Sequence, residues 1–149
     1  MMKRTLLYIA VSLTLLLTLG SCTRNHGDIG IWFGTWHVET ITRSGDMYQY
    51  IGPIDIEGDS FFQFQSKVFR VSQVKDRVQL VESFGTWDES EDGNKMSISF
   101  PDPTVYYIEV PGLEANNVFT VARISSNEVT LTKTDAAGTV FVYRLKKQP

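Results

Sequence analysis

Few side chains in this sequence are equipped for chemistry. There is one cysteine, Cys22, and there are two histidines, His26 and His37. Nucleophilic catalysis needs a serine, threonine or cysteine activated by a base within hydrogen-bond reach. His37 is the only histidine in a strand-like stretch, and no Gly-x-Ser-x-Gly elbow or other nucleophile signature accompanies it. A half-exposed strand histidine is the plain reading of such a residue. A zinc site needs three or four converging ligands, and His26, His37 and Cys22 do not supply them. Asp55 and Glu57 share one face of a potential strand, yet nothing around them isolates one carboxyl for a raised pKa. The stretch DESEDG offers the remaining metal candidate: Asp88, Ser90 and Asp92 place oxygens at alternate positions, with Gly93 at the turn, as in the opening of a calcium loop. The twelfth position counted from Asp88 is Ser99, where such a loop requires a bidentate glutamate. A solvated hairpin turn is the simpler reading. No catalytic residue and no cofactor is assigned, and enzymatic activity is not expected.

The elements that must carry these residues begin with an export segment. Lys3 and Arg4 precede an apolar run from Leu6 to Leu19, followed by small residues and Cys22, which is the pattern of a signal peptide over residues 1–21. The run is shorter than the roughly 18 to 20 apolar residues of a membrane span. Leu19-Gly20-Ser21-Cys22 resembles the bacterial lipobox, in which the cysteine is acylated and becomes the new N-terminus. That resemblance implies attachment to a membrane through Cys22. Each buried methylene of an acyl chain contributes about 0.8 kcal/mol, and two or three chains together anchor firmly. A lone, acylated cysteine leaves no disulfide framework.

Loss of Lys3 and Arg4 changes the formal charge from −3 to −5, which gives no electrostatic footprint for nucleic acid. Residues 22–31 are polar and glycine-containing and suit a flexible tether. No acidic run follows Cys22, and resemblance to surface-exported lipoproteins of the Bacteroides type would imply one, so the expected location is the periplasmic side of the outer membrane in the bacterial cell envelope.

Residues 32–149 suffice for one domain with one core. Their dominant pattern is alternation. TWHVETIT sends Trp36, Val38, Thr40 and Thr42 one way and His37, Glu39 and Ile41 the other. FFQFQ, KVFRVSQV, RVQLVESFGTW, KMSISF, TVYYIEV, NVFTVARI, EVTLTKT and TVFVYRLKK continue the strand pattern. Asp92-Gly93, SSNE and TDAAGT mark tight turns between them. Eight or nine short strands joined in sequence order predict an all-β antiparallel meander, which closes into a barrel or folds into a sandwich.

The tetrapeptide FGTW occurs twice, at Phe33–Trp36 and at Phe84–Trp87. Each copy sets a glycine, which permits close backbone approach, beside an aromatic large enough to plug a core. The residues after the two copies share no further pattern, so the phrase is a device used twice, not a duplication.

Gly34-Thr35-Trp36 resembles the Gly-x-Trp motif that opens lipocalins, and VYRLKK places Arg144 like the arginine that packs across that tryptophan. The second GTW with its Gly-Asn turn and KMSISF, and ISSNEVTLTK followed by VYRLKK, are similar to hairpins of small lipocalin-like lipoproteins of Bacteroides-type bacteria. The resemblance implies a lipocalin-like β-barrel of about eight strands, closed or nearly closed, with Gly34, Trp36 and Arg144 as closure residues. It also implies binding of a small apolar or amphipathic molecule, with Trp36, Phe62, Phe64, Phe100 and Tyr107 as candidate lining.

A barrel of this size can equally be filled by its own side chains. The same aromatics are then core, and the protein works through its surface as an inhibitor or accessory subunit of an envelope complex. The proline-bounded stretch PDPTVYYIEVPG puts Tyr106 and Tyr107 on an edge or loop near the barrel mouth, where they suit a protein or glycan contact.

Overall fold

A computed structural model describes residues 30–45, 48–54, 58–77, 79–102 and 110–149. The expectations for the export segment, Cys22, the tether, Asp55, Glu57, Tyr106 and Tyr107 lie outside the described residues. Ile31–Pro149 forms one compact unit.

Among the described residues nine strands make a single antiparallel sheet: β1 (Gly34–Gly45), β2 (Tyr48–Pro53), β3 (Asp59–Gln65), β4 (Val68–Lys75), β5 (Gln79–Glu89), β6 (Lys95–Ser99), β7 (Asn116–Arg123), β8 (Glu128–Thr134) and β9 (Val140–Lys147). Neighbours in sequence pair in order from β3 to β9, and β1 pairs with β9 from Trp36 to Ser44, which closes the ring. On its other flank β1 pairs with β3 over Gly34–His37 and with β2 over Thr42–Gly45. β2 and β3 are therefore one interrupted return strand, and the ring has eight places. From Thr42 to His37 is five steps on β1, whereas the partners Pro53 and Phe61 are eight apart. The ladder persists to Ile54, whose N–H donates to the Ile41 carbonyl at 2.7 Å. The β1–β9 pairing closes the ring of β1 and β3–β9 and leaves those strands paired on both flanks, while β2 pairs with β1.

Alternation builds the wall as expected, with one correction. The pairing of β1 with β9 slips between Val38 and Thr40, so that Glu39 is an extra residue opposite Leu145 and Arg144. A bulge of this kind reverses the parity of everything after it. Ile41, which simple alternation turns outward, is consequently fully buried with Trp36 and Val38.

The core is a connected set of rings. Phe119 lies 5.6 Å from Tyr143, Tyr143 lies 6.1 Å from Phe62, and Phe62 lies 5.3 Å from Phe69. Phe69 then meets Phe64 at 5.2 Å and Phe100 at 5.9 Å. Phe64 continues the set to Trp87 at 5.2 Å and to Trp32 at 5.0 Å. Most of these pairs are tilted or edge-on, the arrangements ring quadrupoles favour, and each adds about 0.5–1.5 kcal/mol beyond its area.

The two FGTW glycines serve different needs. Gly34 has φ of 116°, which only glycine adopts without strain. Gly85 faces inward, where a Cβ would strike the Ser99 carbonyl oxygen. The second copy lies within β5, which runs on to Glu89, so Trp87 enters the core from inside a strand and does not end it.

Candidate functional site

One end of the barrel is a sealed floor. A 3-10 turn, Gly30–Trp32, lies directly before β1 and puts Trp32 against Trp36, with ring centroids 5.7 Å apart. The indole N–H of Trp36 donates to the Trp32 carbonyl at 3.0 Å. The cation over the Trp36 ring is Lys147, whose Nζ lies 5.5 Å from the centroid and donates to the Ile31 carbonyl at 2.7 Å. Arg144 does not take that place. It lies between inward-facing Tyr143 and Leu145, so strand parity turns it outward, where it sits 3.7 Å from Glu39 and 3.8 Å from Glu128. Lys147 has the parity of Tyr143 and Leu145, and its long stem carries the charge beneath the barrel.

Of the aromatics expected to line a ligand site, Trp36, Phe62, Phe64 and Phe100 all face the interior and are buried. Phe62, Phe64 and Phe100 belong to the connected rings described above, and Trp36 packs on Trp32. In the lower and middle barrel the chain thus supplies its own filling.

The opposite end has a different chemistry, which the sequence analysis did not single out. Toward this end buried polar residues stand on five strands: Ser60 on β3, Gln73 on β4, Ser83 on β5, Asn117 on β7 and Lys133 on β8. Ser60 is paired with Gln73 across the β3–β4 ladder, and Ser83 with Val71 across β4–β5. The hydroxyls of Ser60 and Ser83 have no hydrogen-bond partner among the described residues, a state shared lower in the barrel by the indole N–H groups of Trp32 and Trp87. The signal was present in the sequence: DSFFQF, NNVFTV and EVTLTK each place one polar residue on the apolar parity of its strand.

Over this level lies the segment Val110–Ala115, part of the connection between β6 and β7. Val110 and Leu113 are buried beneath it. Gly112 has φ of 82° and packs so closely on Phe141 and the Tyr143 hydroxyl that a Cβ would collide with both. The Tyr143 O–H donates to the Pro111 carbonyl at 2.5 Å. Burial, reinforced by the negative charge of Glu114, raises the phenol pKa far above its ordinary value near 10.

Lys133 fastens the same segment. Its ammonium donates to the Gly112 carbonyl at 2.7 Å, to Glu114 Oε2 at 2.8 Å and to Asn117 Oδ1 at 2.8 Å. Asn117 in turn accepts from the Glu114 N–H at 2.9 Å and donates to the Glu114 carbonyl at 2.7 Å. The Lys133 side chain is 3% exposed and that of Glu114 is 55% exposed, so the ion pair joins the barrel interior to the surface of the lid.

The outer wall carries a groove of about 460 Å³ across β1, β3, β4 and β5. Arg70 crosses it, donating to Glu82 Oε2 and to Gln63 Oε1, each at 2.7 Å, with Phe84 below its guanidinium. Phe84 and Val68 are 52% and 48% exposed.

Of the residues weighed for chemistry, His37, Asp88, Ser90 and Asp92 are described, and they lie on the outer face or at a turn. His37 pairs with Asp59 at 3.1 Å and packs on Phe61; among the described residues no hydroxyl or thiol is hydrogen-bonded to its ring. Asp88 pairs with Lys67 at 3.0 Å. Asp92 accepts from the Ser90 hydroxyl at 2.6 Å and from the Asn94 N–H at 3.0 Å, which together hold its carboxyl below the usual range. These bonds build the β5–β6 turn, with Gly93 in the left-handed region. Among the described residues no group of three or more His, Cys, Asp or Glu is placed to hold a metal ion.

No known family model and no curated protein matches the sequence. The structure is similar to a lipocalin-like protein from Bacteroides uniformis, with TM-score 0.55 and 19% identity over 80% of this chain and 100% of that one. It is similar also to an uncharacterized protein from Bacteroides eggerthii, with TM-score 0.55 and 17% identity over 78% of this chain and 99% of that one. At such identities the likeness carries the architecture alone, and the architecture is a closed, eight-place antiparallel barrel of the lipocalin-like kind.

Proposed function

We propose that this protein is a non-enzymatic, lipid-anchored binding protein of the bacterial envelope, holding a small amphipathic molecule in the upper interior of its barrel. One observation carries the reading: Ser60 and Ser83 are 1% and 0% exposed and face the interior, and their hydroxyls lack hydrogen-bond partners among the described residues. A buried polar group without a partner costs about 1–3 kcal/mol, so its presence calls for a group that satisfies it. The rings of Phe62, Phe69 and Tyr143 below offer the apolar complement, and the Val110–Ala115 lid must lift to admit the molecule. Acylation of Cys22 supplies the anchor, with the barrel facing the periplasm of the outer membrane.

Native mass spectrometry of the full chain, purified gently from its envelope and compared with the same sample denatured, tests the binding. An extra mass released on denaturation supports it. A bare mass, with no uptake from an envelope lipid extract, overturns it. Loss of membrane partitioning in the Cys22→Ala variant tests the anchor, and unchanged partitioning would refute it.

A second reading is favoured by the outer groove. Phe84 and Val68 beside the Arg70–Glu82 pair make an apolar patch with a polar centre, the composition of a protein contact. On that reading the barrel is a filled scaffold and the partner is another envelope protein.

A further inference from the structure

Three donors at the barrel mouth, Lys133 Nζ, Asn117 Nδ2 and the Tyr143 hydroxyl, all give hydrogen bonds to the lid. Their acceptors there are the Gly112 carbonyl and Glu114 carboxylate, the Glu114 carbonyl, and the Pro111 carbonyl respectively. Among the described residues the traffic in the other direction is one bond, from the Glu114 N–H to Asn117 Oδ1, and that oxygen keeps Lys133 when the lid is away. Lifting Val110–Ala115 therefore frees donors and leaves no acceptor unserved. It also strips a cation on an otherwise apolar strand face, Val129, Leu131 and Lys133, of its one anion among the described residues. A buried charge parted from its partner is strongly unfavourable.

A molecule that enters by displacing the lid must consequently bring acceptors and negative charge to this place. A neutral amphiphile replaces the apolar contacts of Val110 and Leu113 but leaves Lys133 uncompensated. Among anions a carboxylate fits best, because a carboxylate from Glu114 already sits there with matching geometry.

We propose that Lys133, Asn117 and Tyr143 form the head-group site for a small anionic amphiphile of the carboxylic-acid class, and that Glu114 is an internal competitor for it. The proposal rests on the reading that the barrel binds an amphiphile. Glu114, being on the lid and half exposed, couples the two events: ligand acid and lid carboxylate exchange on one ammonium.

The test is calorimetric titration of the full chain in zwitterionic nanodiscs, with empty nanodiscs as the blank, using decanoate, decanol and decyl phosphate below their aggregation limits. Decanoate is expected to bind at least tenfold more tightly than decanol. Glu114→Gln, which neutralises the competitor at an exposed position, is expected to tighten decanoate several-fold and leave decanol unchanged. Lys133→Met is expected to remove the preference for the acid while keeping decanol binding.

Equal binding of acid and alcohol, or weaker decanoate binding by Glu114→Gln, overturns the head-group assignment and leaves the binding function standing. Preference for decyl phosphate over decanoate overturns the carboxylic-acid class. Failure of every probe on the native chain and on Glu114→Gln overturns both the assignment and the binding function. Glu114→Gln keeps an amide oxygen that can accept from Lys133, and Lys133 retains its bonds to the Gly112 carbonyl and Asn117 Oδ1, so the test holds even if Lys133→Met does not fold.

Discussion

Lys147 caps Trp36: its ammonium lies 5.5 Å from the indole centroid while donating to the Ile31 carbonyl at 2.7 Å. One side chain at the end of the last strand thus ties the start of the first strand and the turn before it into a single floor. A cation over an indole contributes about 0.5–2 kcal/mol, and a hydrogen bond about 0.5–1.5 kcal/mol. Lys147→Met is therefore expected to lower unfolding free energy by about 1–2 kcal/mol. Arg144→Ala, which removes two long, half-exposed ion pairs, is expected to change it by less than about 0.5 kcal/mol. Urea unfolding followed by tryptophan fluorescence distinguishes the two, and equal effects would contradict the assignment of Lys147 as the capping cation.

The lid depends on Gly112. Any side chain there meets the Phe141 ring and the Tyr143 hydroxyl and is strained at φ of 82°. Gly112→Ala is expected to expel the segment around it while the barrel stays closed, because the strand ladders reach Ala115 but not Gly112. Hydrogen exchange should accelerate at Leu113 and Glu114 and stay slow in β8 and β9; uniform acceleration would show that the lid and the wall unfold together.

Tyr143 links the lid to pH. Its folded pKa is raised above the unfolded value of 10.0, so its contribution is fully present below pH 10 and is lost as pH climbs toward the folded value. In that window the unfolded chain releases the phenolic proton while the folded chain retains it. Urea midpoints at pH 9, 10 and 11 should fall more steeply for the native chain than for Tyr143→Phe. Parallel curves would mean that the phenol ionises in the folded state.

Ser60→Ala and Ser83→Ala remove hydroxyls that have no hydrogen-bond partner among the described residues. Each is expected to raise the stability of the ligand-free protein by about 1 kcal/mol or leave it unchanged, because an unmet desolvation penalty disappears. Each is also expected to weaken decanoate or decanol binding severalfold. Thermal unfolding and titration on the same variants check both; stability lost with binding intact would make these serines structural.

The exterior reading has its own signature. Phe84→Ser changes a ring that is 52% exposed and is expected to leave folding stability within about 0.5 kcal/mol. If the groove is the working surface, this variant loses a partner captured by the native chain after in-cell crosslinking. Retained capture would remove the groove from consideration.

How far the sequence reaches differs from element to element, and the reason is range. Alternation over a few residues is local, so the strands carrying Trp36, Phe62, Phe69, Ile98, Phe119 and Tyr143 were legible, as was the meander that their turn residues imply. Gly34 and Trp36 marked the start of the barrel because φ and ring size are properties of single residues. Period two in VYRLKK sets Arg144 on the face opposite Tyr143 and Leu145 and Lys147 on theirs, whereas the resemblance to lipocalins points to the arginine.

Other features belong to pairs of strands, and no single strand encodes them. The bulge at Glu39 that rotates Ile41 into the core exists only against β9, and the division of the return strand into β2 and β3 only against β1. The mouth is the clearest case. Ser60, Lys133 and Asn117 each break an apolar parity in plain sight, yet what they do was decided by closure. Closing the ring sets polar groups from five strands at one end and lays Gly112 and Glu114 of a distant connection over them, and only there does one buried ammonium find a carboxylate that a ligand could replace.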